Sequence, residues 1–246
     1  VSDDEGMTIT GPSDPARIAL LDRDNPYSAS TNIEVTDADQ VTLRHLSLRG
    51  AVDGLVVHDN SERFTGEYLT VYDNVEDGIV LASDATDAAL HALTAHDNGA
   101  YGIYVASRIT RLAASTAYDN ETGIYVSSSA GGDPVVVGSA APDGTPDLSL
   151  GLGNRVYNNR LRGIDARYNV LVYGNTAFGQ AGNGDVGIYL YSAAAARHNV
   201  AYDNYDGIVV QYGSTVEANR LFHNVRYGLS CNYGCEVAAN AVYANQ

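Results

Sequence analysis

Short runs in which apolar and polar residues alternate cover most of the chain, and Asn, Asp or Gly residues interrupt them every few positions. The stretch TAYDNETGIYV at 116–126 shows the pattern, with two alternating runs on either side of an Asp-Asn turn. Strict alternation is typical of β-strands with one buried side, whereas amphipathic helices repeat their apolar positions with a longer period. No segment has the helical period, so the pattern predicts an all-β fold of short strands joined by turns.

A phrase built from Tyr-Asp-Asn, a short spacer and Gly-Ile-x-Val recurs along the chain. Its glycines are Gly54, Gly78, Gly102, Gly123, Gly163, Gly187, Gly207 and Gly228. They lie 20 to 24 residues apart, except for a gap of 40 that corresponds to one coil plus an insertion. A period of this size fits a leucine-rich repeat or a β-helix, and the leucine scaffold of the former is missing. We therefore predict a parallel β-helix solenoid of about nine or ten coils, because one unit buries its apolar side only against its neighbours.

Two series of side-chain amides recur in the turns. The first consists of Asn74, Asn98, Asn120, Asn159, Asn204, Asn224 and Asn245, with Gln180 substituting once. The second begins in the later coils and consists of Asn154, Asn175, Asn199, Asn219 and Asn240. Stacked amides can hydrogen-bond along a ladder and so satisfy polar groups at buried turns. We predict that both series stabilise the turns and carry no chemistry.

With these Asn and Gly-Ile coils, the chain resembles the right-handed parallel β-helix proteins of the pectate-lyase-like superfamily. The coils are most similar to those of the periplasmic β-helix family tied to nitrous-oxide reductase and to those of the mannuronan epimerases. The resemblance covers residues 41–246 and, more weakly, residues 7–22, and it implies a right-handed solenoid rather than one particular activity. The Gly-His-Gly signature of polygalacturonases and the Asp-Pro-His motif of mannuronan epimerases are absent.

The repeats predict a single parallel β-helix domain over residues 1–246. Within it we expect an irregular opening coil at 1–40 and an inserted loop at 139–153, which contains two prolines and three glycines. A solenoid normally covers the open sheet edges at its ends. Gln246 directly follows a ladder asparagine. We therefore expect the chain to be a module of a larger protein, with other modules of that longer chain as partners.

Composition narrows the partners further. Fourteen basic residues against thirty acidic ones give a net charge of −16, which argues against nucleic acid or an anionic membrane surface. No apolar run approaches the length of a spanning helix, so we expect no membrane insertion. All fourteen basic residues are Arg, which excludes a lysine base, and the chain lacks Trp.

In each Gly-Ile-x-Val strand, Ile and Val should point inward, so residue x and the residue two positions later should point outward. Stacking the coils then brings a set of outward residues, together with the nearby Arg162, onto what we call the tyrosine–arginine face. Its members are Tyr104, Tyr125, Arg162, Asp165, Arg167, Tyr189 and Tyr191. Tyr rings can stack on sugars, and Arg can bind a carboxylate or sulfate bidentately. The face therefore predicts polysaccharide binding, although Tyr is also simply a good strand residue.

The arginines are unevenly distributed. Arg155, Arg160, Arg162 and Arg167 lie within thirteen residues, whereas Asp165 is the only acid between 148 and 184. This coil is either a gap in the acidic surface or a site for an anionic chain such as a uronate or sulfated glycan. The inserted loop would form a groove wall beside it, although solenoids also accept surface insertions at little cost.

One aromatic or histidine residue precedes each ladder amide by two positions. The row is Tyr72, His96, Tyr118, Tyr157, Phe178, Tyr202, Phe222 and Tyr243, and we interpret it as a stacking ladder rather than a ligand surface. Beside it run Asp73, Asp97, Asp119 and Asp203, whose oxygens would suit calcium. The chain lacks the spacing of a calcium-binding loop, so no metal site is assigned and calcium is kept as a cofactor alternative.

On a neighbouring strand face, the alignment places Glu67 and His91 outward in adjacent coils. It does the same for Tyr173, Arg197 and Glu217 in three later coils. Either group could supply acid–base chemistry for a lyase or epimerase. A register error of one residue would turn each inward.

The two cysteines, Cys231 and Cys235, flank Asn-Tyr-Gly, a turn that could bring them within bonding range. In an exported protein we expect a disulfide that closes the final coil, and otherwise Cys231 would be a small core residue. We accordingly expect an extracellular or periplasmic location.

Three classes of function fit the sequence. The first is an extracellular polysaccharide-binding module, for which the tyrosine–arginine face is the evidence. The second is a polysaccharide lyase or uronate C5-epimerase, which the missing catalytic motifs disfavour. The third is a structural spacer or adhesin stalk.

Overall fold

The computed structural model describes residues 6–14, 16–25, 27, 29–128, 132–141, 143–147 and 153–246. These residues form twenty-nine β-strands and no helix. Nine coils each contribute one strand to each of three parallel sheets, and the last strands, β28 (Glu236–Ala238) and β29 (Ala241–Tyr243), extend only two of them, so the sheets have ten, ten and nine strands. The all-β parallel β-helix, predicted with about nine or ten coils, is confirmed with about nine turns. No described segment is a helix long and apolar enough to cross a membrane.

The strands follow the chain from the first sheet to the second and then to the third. The first sheet contains β1 (Thr8–Thr10), β4 (Thr42–Arg44), β7 (Thr65–Glu67), β10 (Ala88–His91), β13 (Ile109–Ala113), β16 (Val135–Gly138), β19 (Val170–Tyr173), β22 (Ala195–Arg197), β25 (Thr215–Glu217) and β28 (Glu236–Ala238). The second contains β2 (Ala19–Asp22), β5 (Leu46–Arg49), β8 (Thr70–Tyr72), β11 (Thr94–His96), β14 (Thr116–Tyr118), β17 (Arg155–Tyr157), β20 (Thr176–Phe178), β23 (Val200–Tyr202), β26 (Arg220–Phe222) and β29 (Ala241–Tyr243). The third contains β3 (Thr31–Thr36), β6 (Asp53–His58), β9 (Ile79–Leu81), β12 (Tyr101–Val105), β15 (Thr122–Ser127), β18 (Arg162–Arg167), β21 (Val186–Tyr191), β24 (Asp206–Gln211) and β27 (Tyr227–Asn232).

The inward residues of the third sheet behave as the alternation predicts. Ile103 and Val105 are fully buried, and they pair in register with Ile124 and Val126 of the next coil. Burial of one such side chain stabilises the fold by roughly 1.5–3 kcal/mol relative to exposure. The marker glycine is required by close packing: a Cβ on Gly102 would lie 2.7 Å from the Gly123 carbonyl oxygen.

Both amide ladders are confirmed. In the first, Asn98 Nδ2 donates to Asn120 Oδ1 at 3.0 Å, and Asn120 Nδ2 donates to Asn159 Oδ1 at 3.2 Å. The second runs in the same way, with Asn154 Nδ2 donating to Asn175 Oδ1 at 3.0 Å. Asn120 and the other ladder asparagines also bond backbone groups of adjacent coils, which satisfies buried polar atoms at the turns. Gln180 differs: its Oε1 accepts from the Asn159 backbone N–H, but its buried Nε2 has no hydrogen-bond partner among the described residues.

The two irregular regions are more ordered than the repeat pattern suggests. Residues 1–40 include β1, β2 and β3, so their described part forms a coil with a strand in each sheet. In the insertion, Ala140 pairs antiparallel with Pro146, while residue 142 and residues 148–152 of the predicted loop lie outside the described residues. The described part packs over the first sheet, where Ala140, Leu171 and Tyr173 belong to a second buried apolar cluster.

Candidate functional site

The third sheet brings the predicted outward residues into one row. Adjacent strands pair Tyr104 with Tyr125, Tyr125 with Asp165, and Asp165 with Tyr189. Arg167 pairs with Tyr191 in a parallel row. The positions inferred from the repeat alignment are therefore right for these residues, and the tyrosine–arginine face is a continuous surface of β12, β15, β18 and β21.

An ion cluster forms the centre of this face. Arg167 donates from Nε and Nη2 to the two carboxylate oxygens of Asp165, both at 2.9 Å, and Arg162 Nη1 donates to Oδ2 of the same carboxylate. Asp165 is only 2% exposed, although the sequence suggested a solvated position. A carboxylate is tolerated in such burial only when it is paired and hydrogen-bonded. Two guanidiniums against one carboxylate leave the cluster with a net positive charge.

The rings of the face stand against one another and against the guanidiniums. Tyr104 and Tyr125 stack with centroids 4.9 Å apart and planes 3° apart. The Arg167 guanidinium lies 5.1 Å from the Tyr125 ring centroid, and that of Arg162 lies 3.9 Å from the Tyr189 centroid. The ring surfaces at these contacts are not available to a sugar. Stacking of sugars on the remaining ring surfaces stays a prediction, beside binding at ring edges, hydroxyl groups and guanidinium nitrogens.

Two residues of this region were missed by the sequence reasoning. The Tyr101 ring lies 5.2 Å from that of Tyr104 and 5.4 Å from that of Tyr125. Tyr101 comes directly before the marker glycine Gly102. It pairs in register with Thr122, which pairs with Arg162, so these residues form a third row that the repeat alignment could have revealed.

Asp77 is the second missed residue. Burial raises the pKa of Asp77 to about 6, despite the hydrogen bond that its carboxylate accepts from the Tyr101 backbone N–H, and the Asp53 charge adds to the rise. Desolvation penalises the ionised form of any half-buried carboxyl group. A carboxyl group that titrates near neutral pH beside the tyrosines is a candidate proton carrier.

The four clustered arginines do not form one patch. Arg162 and Arg167 lie on the third sheet, whereas Arg155 lies over the Phe178 ring of the second sheet at 4.9 Å. Arg160 donates to the Gly99 carbonyl oxygen in the intervening turn. The local excess of positive charge is therefore spread around the coil, and half of it faces the tyrosines.

The aromatic row on the second sheet is a stacking ladder, as interpreted. From Tyr72 to Tyr243, successive ring centroids lie 4.7 to 5.4 Å apart with nearly parallel planes. The neighbouring Asp73, Asp97, Asp119 and Asp203 occupy left-handed turn positions. Within the described ranges no group of three or more His, Cys, Asp or Glu side chains could hold a metal ion, and calcium stays an untested prediction.

The acid–base groups proposed on the first sheet do align outward, and most are held in ion pairs. Glu67 pairs in register with His91 and contacts Arg44 at 2.9 Å. Tyr173, Arg197 and Glu217 lie in three successive coils, and each pairs in register with the next. Arg197 Nε contacts the Glu217 carboxylate at 3.3 Å.

Tyr173 itself is only 7% exposed, because it packs in the apolar cluster beneath the insertion. Tyr104 and Tyr125 of the third sheet are half-buried and therefore more available to a polymer, whereas Tyr189 is buried to a similar degree, at 9% exposed. The first sheet is accordingly the weaker candidate site.

The cysteines are bonded in the structure. Cys231 and Cys235 form a disulfide with Cα atoms 6.1 Å apart, and it closes the turn that carries Tyr233. Cys235 packs against the core.

Comparison with known proteins adds a family description for the later coils. Residues 149–246 match the family model of the right-handed β-helix region. No curated protein sequence matches the chain.

Three solved structures share the fold at 15% sequence identity. The A-module of a mannuronan C-5 epimerase from Azotobacter vinelandii matches with a TM-score of 0.61, over 99% of this chain and 84% of that one. An alginate lyase from a Paenibacillus species matches with a TM-score of 0.50, over 98% and 87%. A periplasmic alginate epimerase matches with a TM-score of 0.54 over 87% of this chain, which spans about half of that protein's length, 47%. Likeness at this identity shows the fold alone.

Proposed function

We propose that this chain binds an anionic polysaccharide, a uronate or sulfated glycan, on the tyrosine–arginine face, as an extracellular or periplasmic module of a larger protein. The observation that carries the proposal is the ion cluster: Arg162 and Arg167 outnumber Asp165 on the surface of a chain whose net charge is −16. A polyanion would be repelled by most of this surface, so attraction must be local.

The geometry favours recognition by hydrogen bonds and charge rather than by stacking at this face. Arg167 uses Nε and Nη2 for Asp165, which leaves Nη1 outside those two bonds. Its side chain is 34% exposed, and that of Arg162 is 23% exposed. Asp165 thus fixes both guanidiniums in place, and a carboxylate or sulfate meets donors whose orientation costs little further entropy.

The structural neighbours support the same class of ligand by analogy of fold. Their names give mannuronan or alginate, which are polymers of uronate sugars, as what they act on. Fold similarity does not establish function, so the argument rests on the face itself.

The experiment is a titration of the protein with alginate at several salt concentrations. Arg167→Ala should weaken binding several-fold and flatten its salt dependence, because one charge-assisted contact is lost. Tyr189→Ala should weaken binding with little change in salt dependence. The matched control is Arg220→Ala, since Arg220 also lies over an aromatic ring, 4.7 Å from the Phe222 centroid, but on the second sheet.

Equal losses for Arg167→Ala and Arg220→Ala would place the site elsewhere. If the intact protein binds neither alginate nor a sulfated glycan, the proposal is overturned and the spacer function is favoured.

Catalysis on the same polymer is a second candidate, and Asp77 is the observation that favours it. A carboxyl group with a pKa of about 6 beside Tyr101 could exchange a proton with a uronate at neutral pH. A lyase would release unsaturated uronate that absorbs in the ultraviolet, and an epimerase would change polymer composition without cleavage. Asp77→Asn should abolish either activity while alginate binding is kept, and a chain that produces neither change is a binding module.

A further inference from the structure

A second set of tyrosines lies at the turn that follows the third sheet. Three of them, Tyr168, Tyr212 and Tyr233, each come directly after the last residue of a third-sheet strand. Those last residues, Arg167, Gln211 and Asn232, are aligned in one row of the sheet. Tyr191, the end of β21, fills the gap in the coil between Tyr168 and Tyr212. We call these four residues the tyrosine ribbon; successive ring centroids lie 5.8, 5.2 and 5.0 Å apart.

The ribbon differs from the stacked columns in the orientation of one ring, that of Tyr191, whereas Tyr212 and Tyr233 stack with planes 6° apart. The plane of Tyr191 is turned 83° from that of Tyr168 and 72° from that of Tyr212. Among the described residues, no parallel ring or guanidinium covers Tyr191, in contrast with the stacked pair Tyr104 and Tyr125. An open ring face is what a pyranose needs for stacking.

The ribbon is exposed at both ends. Tyr233 is 74% exposed, Tyr212 47% and Tyr168 43%. Single exposed aromatic residues are ordinary, but a contiguous row of them along a protein surface is typical of a binding surface.

The backbone at these positions disfavours tyrosine. Tyr168, Tyr212 and Tyr233 have φ of 52°, 58° and 63°, in the left-handed region that Gly, Asn and Asp adopt more readily than bulky residues. The equivalent position in an early coil is occupied by Asp59, at a φ of 54°. Tyrosine therefore stands at three turns where another residue would be more stable, which points to a role for the ring itself.

The surroundings of the ribbon suit an anionic chain. Asp and Glu are absent from residues 166–184, 186–202, 207–216 and 227–235, although the whole chain contains thirty. The ribbon also joins the tyrosine–arginine face directly, because Tyr168 follows Arg167 and Tyr191 belongs to both. A polymer held at Arg167 would run onto the ribbon without crossing an acidic coil.

The inserted hairpin lies close to the turns that follow the early coils of the ribbon. A cavity of about 170 Å³ lies between the hairpin tip and the next turn, lined among others by Asp143, Asn169, Ala193 and Arg197. Asn169 and Ala193 come immediately after Tyr168 and Ser192. The hairpin tip, which carries Asp143, therefore lies beside the turns that follow the first two coils of the ribbon.

From these observations we infer that the tyrosine ribbon is a second set of subsites, in which further pyranose residues of the same polymer stack on Tyr191 and Tyr233 beyond the tyrosine–arginine face. The inference rests on the proposed polysaccharide function. It adds that affinity should increase with chain length, since a longer oligomer reaches both surfaces and the second contact becomes intramolecular.

The test uses the double variant Tyr212→Asn with Tyr233→Asn. Asn removes the rings and also relieves the left-handed backbone, so the variant should be at least as stable as the wild type. The matched control is Tyr68→Asn, because Tyr68 is 50% exposed with a φ of 54° but lies at the turn between the first and second sheets. Oligomannuronates of increasing length are titrated against all three proteins, and thermal melting is recorded.

We expect the affinity of the wild type to rise with oligomer length. The double variant should bind long oligomers about tenfold more weakly, with short oligomers and the Tyr68→Asn control unchanged. Equal binding of long oligomers by wild type and double variant would overturn the ribbon, whereas the face would stand. If Arg167→Ala leaves binding intact while the double variant loses it, the ribbon stands and the proposed role of the face fails. Absence of binding at every length overturns both.

Discussion

The early and late coils of the third sheet use one backbone for two different surfaces. In the outward row, Glu34, Val56 and Val80 of the early coils give way to Tyr104 and Tyr125 in register with them. The buried row beneath stays aliphatic throughout, since Leu55, Ile79 and Ile103 pair in register from coil to coil. The core and the ladders therefore define the fold, and the outward positions are free to define a ligand.

The charged clusters of the two halves show the same contrast. In the early coils, His58 contacts Glu34 at 2.9 Å and Asp59 at 3.1 Å, and both carboxylates are mostly exposed. In the later coils, two arginines enclose the buried Asp165. The first cluster is negative and solvated, whereas the second is positive and fixed, which is the arrangement that an anionic ligand requires.

The largest expected effect tests whether the asparagine ladder stabilises the early and the late coils equally. Asn98→Ala in the early coils and Asn204→Ala in the later ones should each lower the free energy of unfolding by about 3 kcal/mol, because each leaves several buried hydrogen-bonding groups without partners. Urea denaturation monitored by far-ultraviolet circular dichroism measures the loss. A loss below about 1 kcal/mol in either half would contradict a uniform ladder.

The next effect compares the two charged clusters. Asp165→Asn should cost about 2 kcal/mol of stability, because it removes the negative charge and one of the two acceptor oxygens that two partly buried guanidiniums share. Glu34→Gln should cost less than about 1 kcal/mol, since its pair with His58 is solvated.

The same two variants separate stability from binding. Asp165→Asn should also steepen the salt dependence of alginate binding, because it increases the net positive charge of the face. Equal stability losses for the two variants, or an unchanged salt dependence for Asp165→Asn, would contradict the distinction between the clusters.

The smallest expected effect is a pH dependence of the free energy of unfolding, which arises from Asp77 at the boundary between the early and late coils. The pKa of Asp77 is raised by burial to about 6 from 3.8, so the folded protein holds this proton more tightly than the unfolded chain. Stability contributed by the protonated form is fully present below about pH 4 and is lost as the pH rises through 6. Asp77→Asn should therefore match the wild type near pH 4 and exceed it by about 1 kcal/mol at pH 7, after allowance for partial exposure.

Asp73→Asn is the control for removing an acidic side chain from this coil, because Asp73 lies at an exposed turn four residues before Asp77. A difference for Asp77→Asn that is constant with pH would show that this carboxyl group does not titrate in that range.

The fold was largely readable from the sequence because a solenoid repeats its local rules. Because each coil buries the same rows, the eight marker glycines and the row of amides such as Asn98 and Asn120 predict the strand register between Gly54 and Gly228, but not in the opening coil or the insertion. The outward rows followed from the same register, which is why Tyr104, Arg167 and Tyr191 were placed correctly.

What the sequence could not supply was the arrangement of side chains within a row. Alternation marks Asp165 as outward, but only the three-dimensional proximity of Arg162 shows that its carboxylate is enclosed. The ring planes of Tyr104 and Tyr191 are equally invisible in a linear pattern. Tyr212 and Tyr233 were missed because they follow the strand, where the alternation no longer applies.

The central claim is that the later coils of the third sheet hold an anionic polysaccharide. The most direct measurement is a crystal structure of the protein soaked with a mannuronate oligosaccharide. The account predicts electron density for sugar residues along β12, β15, β18 and β21, with a carboxylate of the oligosaccharide within hydrogen-bonding distance of Arg167. Sugar bound along the aromatic row of the second sheet, with the third sheet empty, would contradict it.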